Sequence, residues 1–247
     1  QKVIGASTFQ WVVANYGDES LAALKSGDKA AKAFTIIDRG GVKVGVVGAN
    51  TPETIEQVFP GNLDYKDASG AKKTIQIEPG VVGINKSVAD ARAAGAQIVV
   101  VLIHQGWTEN LNGVAEGRLP QLAEQIKGAD VIFGGHSHLV YSTAIQGNVR
   151  TASTLVAEVR NAGVEYTRTT VCIKTANNRV LGSAVEYISK AEAVKLTPDA
   201  TAAALVKKYK DQLAPKLDVK IGQVSGVFPR GGSPAVERSG ETPLGNF

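Results

Sequence analysis

All three histidines of the 247-residue sequence fall in two short stretches, Ile103-His104-Gln105-Gly106 and Gly134-Gly135-His136-Ser137-His138. Each stretch follows an apolar run that reads as a buried strand, and the C-terminal ends of strands are where open α/β sheets assemble their sites. The grouping predicts a metal site, or part of one, with His104, His136 and His138 as ligands. In extended backbone, residues i and i+2 face the same side, roughly 6.6 Å apart, so His136 and His138 are expected to project together while Ser137 faces away. That spacing suits two ions, because two-metal hydrolytic sites hold their ions about 3.5–4 Å apart and each imidazole adds about 2 Å of reach. Gly134 and Gly135 remove side chains where the backbone leaves the strand and passes close to the site.

Three neutral imidazoles do not offset two divalent cations, so carboxylates are needed, with a shell of groups to orient the ligands. Asp130 opens the strand that leads to His136, and six residues of extended chain put it roughly 20 Å away at the wrong end. Glu109 lies in the loop after His104 without a paired carboxylate. Asp18 and Asp28 each belong to a polar stretch that follows no buried strand. The sequence contains no Asp-x-His and no Gly-Asn-His. The ligand set is therefore expected to be half complete.

The elements that must position the histidines can be read from the hydrophobic pattern. Phe34 to Asp38 and Val42 to Gly48 flank Arg39-Gly40-Gly41 and predict a hairpin, followed by the polar loop Asn50-Thr51-Pro52-Glu53. After Glu78-Pro79-Gly80, the apolar positions Val81, Val82, Ile84, Val88, Ala91 and Ala94 predict a helix that stops at Gly95, and a strand from Gln97 to Ile103 comes next. The step repeats: Leu119, Leu122, Ala123 and Ile126 mark a helix ended by Gly128, and Val131-Ile132-Phe133 forms the next strand. Continuous apolar strands predict a covered sheet with helices on its faces, an α/β fold. Antiparallel strands are expected from Val164 to Lys174 and from Val180 to Ile188 around Asn177-Asn178. A later helix, with Thr197 as N-cap and Pro198 at its first position, is expected to bury Ala202, Leu205, Val206, Tyr209 and Leu213. Before Phe34 the pattern is weak, with a short strand possible from Trp11 to Ala14. Pro229 to Pro234 reads as a linker.

With 43% hydrophobic and 20% charged residues, the composition is that of an ordinary globular protein. No apolar run approaches the roughly 20 residues that cross a bilayer, so no membrane span is expected. The charge of +4 is mild, its excess gathers between Lys190 and Lys220, and no aromatic residues interleave there as a stacking platform, so no nucleic-acid partner is expected. The single cysteine, Cys172, sits in an apolar run and reads as a core thiol. The chain begins at Gln1 and holds no methionine, as expected of a processed or partial polypeptide.

The stretches Ile98 to Gly106 and Gly128 to His138 resemble the 5′-nucleotidase branch of the calcineurin-like metallophosphoesterases. Gly40 to Gly48 with Thr51-Pro52-Glu53-Thr54, and Arg238, Glu241, Leu244, Gly245 and Asn246, extend the resemblance. It implies part of a four-layer α/β/β/α sandwich with mixed sheets and two divalent ions such as zinc, manganese or cobalt. His104 and His136 would ligate one ion and His138 the other, with activated water attacking phosphorus in line. Nucleotide phosphate esters are the implied substrates, and the implied location is extracytoplasmic: periplasmic, secreted or associated with the cell envelope. No residue of the chain is assigned a catalytic or substrate-binding role.

On this reading residues 1–190 form the C-terminal half of the catalytic domain, 191–228 a linker helix with the segment after it, and 229–247 the start of a truncated C-terminal domain. The family's acidic ligands are expected upstream and its substrate domain downstream, as partner segments of the same parent protein, which leaves the isolated chain inactive. The alternative is a catalytically incompetent, nucleotidase-like component of the envelope or surface layer, with cell-envelope partners.

Overall fold

The computed structural model describes residues 2–59, 61–111, 114–139, 148–151, 154–174, 176–177, 179–223 and 226. The proposed linker at Pro229–Pro234 and the segment 229–247 lie outside the described residues. By contacts the chain divides into Gln1–Lys195 and Leu196–Phe247.

The first unit is built on a six-stranded mixed sheet. Its strands are β1 (Phe34–Arg39), β2 (Val42–Ala49), β3 (Ile98–Ile103), β4 (Val131–Phe133), β5 (Asn148–Thr151) and β6 (Thr154–Ala157), in the spatial order β5-β6-β4-β3-β2-β1. The pairs β2–β3, β3–β4 and β4–β6 are parallel, and β1 and β5 close the edges antiparallel. The β1–β2 hairpin turns at Gly40 and Gly41, with φ of 60° and 82°. Positive φ at both central residues gives the turn the twist that paired strands require.

Helices α1 (Val82–Ala93) and α2 (Arg118–Gln125) join β2 to β3 and β3 to β4. Each crossover moves the same way across the sheet, and right-handed connections then place both helices on one face. The row Val47, Val101, Ile132 and Val156 runs across four strands in register. All four are fully buried in one cluster with Ile84, Val88 and Ala91 of α1 and Leu119, Leu122 and Ala123 of α2. Leu102, which points the other way, is 43% exposed, and on that side it lines a cavity with Val3 and Ile4 of the short helix Lys2–Ala6.

The end of the sheet far from the histidines is braced by one ion pair. Arg92 Nη2 lies 2.6 Å from Asp130 Oδ2, which also accepts the Val99 N–H at 2.8 Å. The same guanidinium donates to the carbonyls of Ala96, Gln97 and Gly128. Asp130 is therefore a structural residue that ties the end of α1 to the starts of β3 and β4.

Strands β7 (Tyr166–Lys174) and β8 (Arg179–Ile188) pair antiparallel, with an irregularity between Cys172 and Ile173. Cys172 falls on the exposed side of the alternation, which corrects its reading as a core thiol. In the second unit, α3 (Ala200–Leu217) is capped by Asp199, whose side chain accepts the Ala202 N–H at 2.8 Å. The cap is thus Asp199 and not Thr197, because a carboxylate two residues later reaches the first free N–H groups of the helix. The stripe of Ala202, Leu205, Val206, Tyr209 and Leu213 is exposed, contrary to expectation.

Candidate metal centre

His104 follows the last residue of β3, and its N–H donates to the Ala49 carbonyl at the end of β2. The second stretch does not continue as a strand. β4 ends at Phe133, Gly134 N–H donates to Ala157 O, and the chain then turns sharply. Ser137 N–H donates to Gly135 O at 3.0 Å around His136, whose φ is 80°. This is a γ-turn of the strained kind. His138 is also left-handed, with φ of 59°. The expectation that His136 and His138 project together from extended backbone is therefore corrected. Strained backbone of this kind persists only where surrounding contacts hold it, and it gathers at functional sites.

Close backbone packing provides those contacts. Gly135 N–H donates to Gln105 O at 3.0 Å, and Leu119 N–H to Gly106 O. A Cβ on Gly106 would collide with Ser137 and with the Gly135 carbonyl, and one on Gly134 with Leu119 and the Gln105 carbonyl. Both glycines are required for the approach of the two histidine loops.

The approach brings His104 and His136 into contact. Nδ1 of His136 lies 3.2 Å from Nε2 of His104, with ring centroids 5.0 Å apart at 72°. Two imidazole nitrogens that bind one zinc ion at about 2.0–2.1 Å in tetrahedral geometry stand about 3.3 Å apart. The observed pair fits that requirement. Burial, and then the neighbouring His136 and His138, hold the His104 pKa below the usual histidine value. The neutral ring is the form that binds metal.

A carboxylate that the sequence pattern places in an ordinary polar loop completes the cluster. Glu53 Oε2 lies 3.1 Å from His136 Nε2. The loop that carries it is fixed by the buried Asn15, which bonds Asn50 through both its amide and its carbonyl, and by Thr51, whose Oγ1 accepts the Glu53 N–H. A carboxylate only accepts, so His136 donates to Glu53 from Nε2, which leaves Nδ1 as the ring atom that faces His104. This is the carboxylate–histidine arrangement that orients metal ligands.

His138 is exposed, and its ring takes no hydrogen bond among the described residues. No group of three or more His, Cys, Asp or Glu among the described residues is placed to hold a metal ion. Two of the three expected ligands are thus in direct contact, with an orienting carboxylate on His136, and the third is near enough to act on the His104 pKa but shares no hydrogen bond with them among the described residues.

Beneath the loop lies a second carboxylate. Glu158, only 2% exposed, follows β6 and accepts Ser137 Oγ at 2.8 Å and the Trp107 N–H at 3.1 Å. Burial raises its pKa, partly offset by hydrogen bonds from Ser137 and from the backbone of Trp107, Leu139 and His138.

A mixed sheet packed against helices, with paired histidines at its strand ends, defines a class, and solved structures agree. The 5′-nucleotidase precursor from Thermus thermophilus superposes with a TM-score of 0.68 at 22% identity, over 90% of this chain and 41% of that one. The calcineurin-like phosphoesterase YfkN from Bacillus subtilis superposes with a TM-score of 0.57 at 20% identity, over 85% and 64%. The fold is therefore the calcineurin-like metallophosphoesterase fold, as seen in 5′-nucleotidases, and the chain holds part of its α/β/β/α sandwich. The family described as "Bacterial capsule synthesis protein PGA_cap" matches residues 21–157, and the chain belongs to it. Among curated proteins, endonuclease YhcR of Bacillus subtilis (strain 168) is 27% identical over 225 residues, 90% of this chain and 17% of that protein. The chain thus spans less than two thirds of each of these relatives.

Proposed function

We propose that this chain contributes the histidine half of a two-metal centre in a hydrolase of nucleotide phosphate esters. The observation that carries the reading is the His104–His136 spacing of 3.2 Å, which fits chelation of one ion, at strand ends of a metallophosphoesterase fold. Divalent ions held there would polarise the phosphoryl oxygens and activate water. His104 and His136 bind one ion, Glu53 orients His136, and His138 serves the second ion. Bridging carboxylates from polypeptide outside these 247 residues complete the set, and the isolated chain is inactive. Names of the relatives, a 5′-nucleotidase precursor and an endonuclease, support phosphate esters of nucleotides as the substrate class. An extracytoplasmic location belongs to the same proposal. Among the described residues no helix is long and apolar enough to cross a membrane.

The test is phosphate release from adenosine monophosphate, with single-stranded DNA as a parallel substrate, in manganese, cobalt or zinc. The full-length natural polypeptide is expected to hydrolyse one of them and to lose activity in EDTA, while the 247 residues alone stay at background. Turnover by the isolated chain near that of the full-length protein would refute the shared-centre account. A full-length protein inert on both substrates would favour the second reading, a noncatalytic envelope component, which the capsule-synthesis description of the family supports.

Glu53→Gln keeps the size of the side chain but replaces a carboxylate by an amide beside His136. Orienting partners of metal ligands are commonly worth about 10–100-fold in affinity. Zinc titration of the isolated chain is expected to show a loss in that range with an unchanged melting temperature, and equal affinities would remove Glu53 from the site.

A further inference from the structure

We propose that Glu158 is a positioning residue that locks the loop of His136 and His138 against the loop of His104. Its carboxylate takes the Ser137 hydroxyl, which stands between the two histidines, and the Trp107 N–H, three residues after His104. One acceptor group thus binds both histidine-bearing loops. It is itself held from behind: Ala157 O accepts Gly134 N–H, and Glu158 O accepts the Tyr187 hydroxyl at 3.2 Å. Among the described residues, the hydrogen bonds to its carboxylate come from uncharged donors. A buried carboxylate is costly, and a role in packing alone is met more cheaply by a neutral side chain. What only a carboxylate offers here is two oxygens that accept and never donate, facing donors that converge from several directions. That convergence holds the left-handed backbone at His136 and His138, and with it the His104–His136 approach.

The functional consequence rests on the proposed metal site, but the positioning can be measured without metal. In the metal-free chain, ring-proton NMR is expected to show a His104–His136 contact and slow exchange of the Trp107 amide. Glu158→Gln turns an amide donor toward existing donors, and Ser137→Ala removes the link to the histidine loop alone. Both variants are expected to unfold cooperatively near the wild-type temperature, to lose the ring contact, and to bind zinc about 10–100-fold more weakly. A folded variant that keeps both the contact and the wild-type affinity would overturn the proposal. If Glu158→Gln fails to fold, Ser137→Ala decides in the same way. Should the wild type show the ring contact yet take up no zinc, the metal reading falls. Loss of that contact in the variants would then still support the positioning role.

Discussion

Replacing His136 with alanine is expected to lower the affinity of the chain for zinc at least about 100-fold, more than loss of an orienting neighbour, for which about 10–100-fold is usual. The imidazole stands between His104 and Glu53, at 3.2 Å and 3.1 Å, so its removal takes away one donor and the carboxylate's link to the site together. The remaining His104 would be a single histidine with no second donor at chelating distance among the contacts described. Zinc titration by calorimetry checks the prediction, with His138→Ala as the comparison. Because the His138 ring shares no hydrogen bond with His104 or His136 among the described residues, its loss is expected to change affinity for the first ion less than about tenfold. Equal losses in the two variants would mean that the metal is held differently.

Replacing Asp130 with alanine is expected to destabilise the fold by about 3–5 kcal/mol, as for removal of one member of a buried ion pair. The Asp130 side chain is 10% exposed and that of Arg92 32%. The exposure of Arg92 puts the effect toward the lower end, since a solvated guanidinium recovers part of its hydration. Loss of Asp130 also strands the Val99 N–H, which is buried and has Asp130 Oδ2 as its acceptor. Urea denaturation is expected to show a lower midpoint with an unchanged slope. The brace lies at the opposite ends of the strands from the histidines, so zinc affinity of the folded fraction is expected to stay at the wild-type value. A change in stability below about 1 kcal/mol would put Asp130 among ordinary surface carboxylates.

The placement of Asp130 shows how far the sequence could be read. Strand direction alone set it at the far end from His136, and the structure agrees. The same logic found β3, β4, α1 and α2, because continuous apolar runs and glycine stops are local signals that tertiary packing reinforces. It failed at His136 and His138, where alternation was carried past the end of β4. A strand ends when its hydrogen-bond partners end, and the Gly134 N–H turning to Ala157 is a contact 23 residues away in sequence. Glu53 and Glu158 were missed for a related reason. Neither belongs to a spacing motif with the histidines, since they lie 83 residues before His136 and 21 residues after Ser137. Their roles come from the register of adjacent strands, which puts the ends of β2, β3, β4 and β6 side by side. The one sequence signal that could have found Glu158 is a carboxylate directly after the buried run Thr154–Ala157. The apolar stripe of α3 was legible as a periodicity, but periodicity does not say what covers it.

The most direct measurement is the zinc anomalous difference map of a crystal of this chain grown with zinc. The account predicts a peak about 2.0–2.1 Å from both His104 Nε2 and His136 Nδ1, with Glu53 still bonded to His136. A map in which those two rings stand apart, or in which zinc binds elsewhere and leaves them in contact, would contradict it.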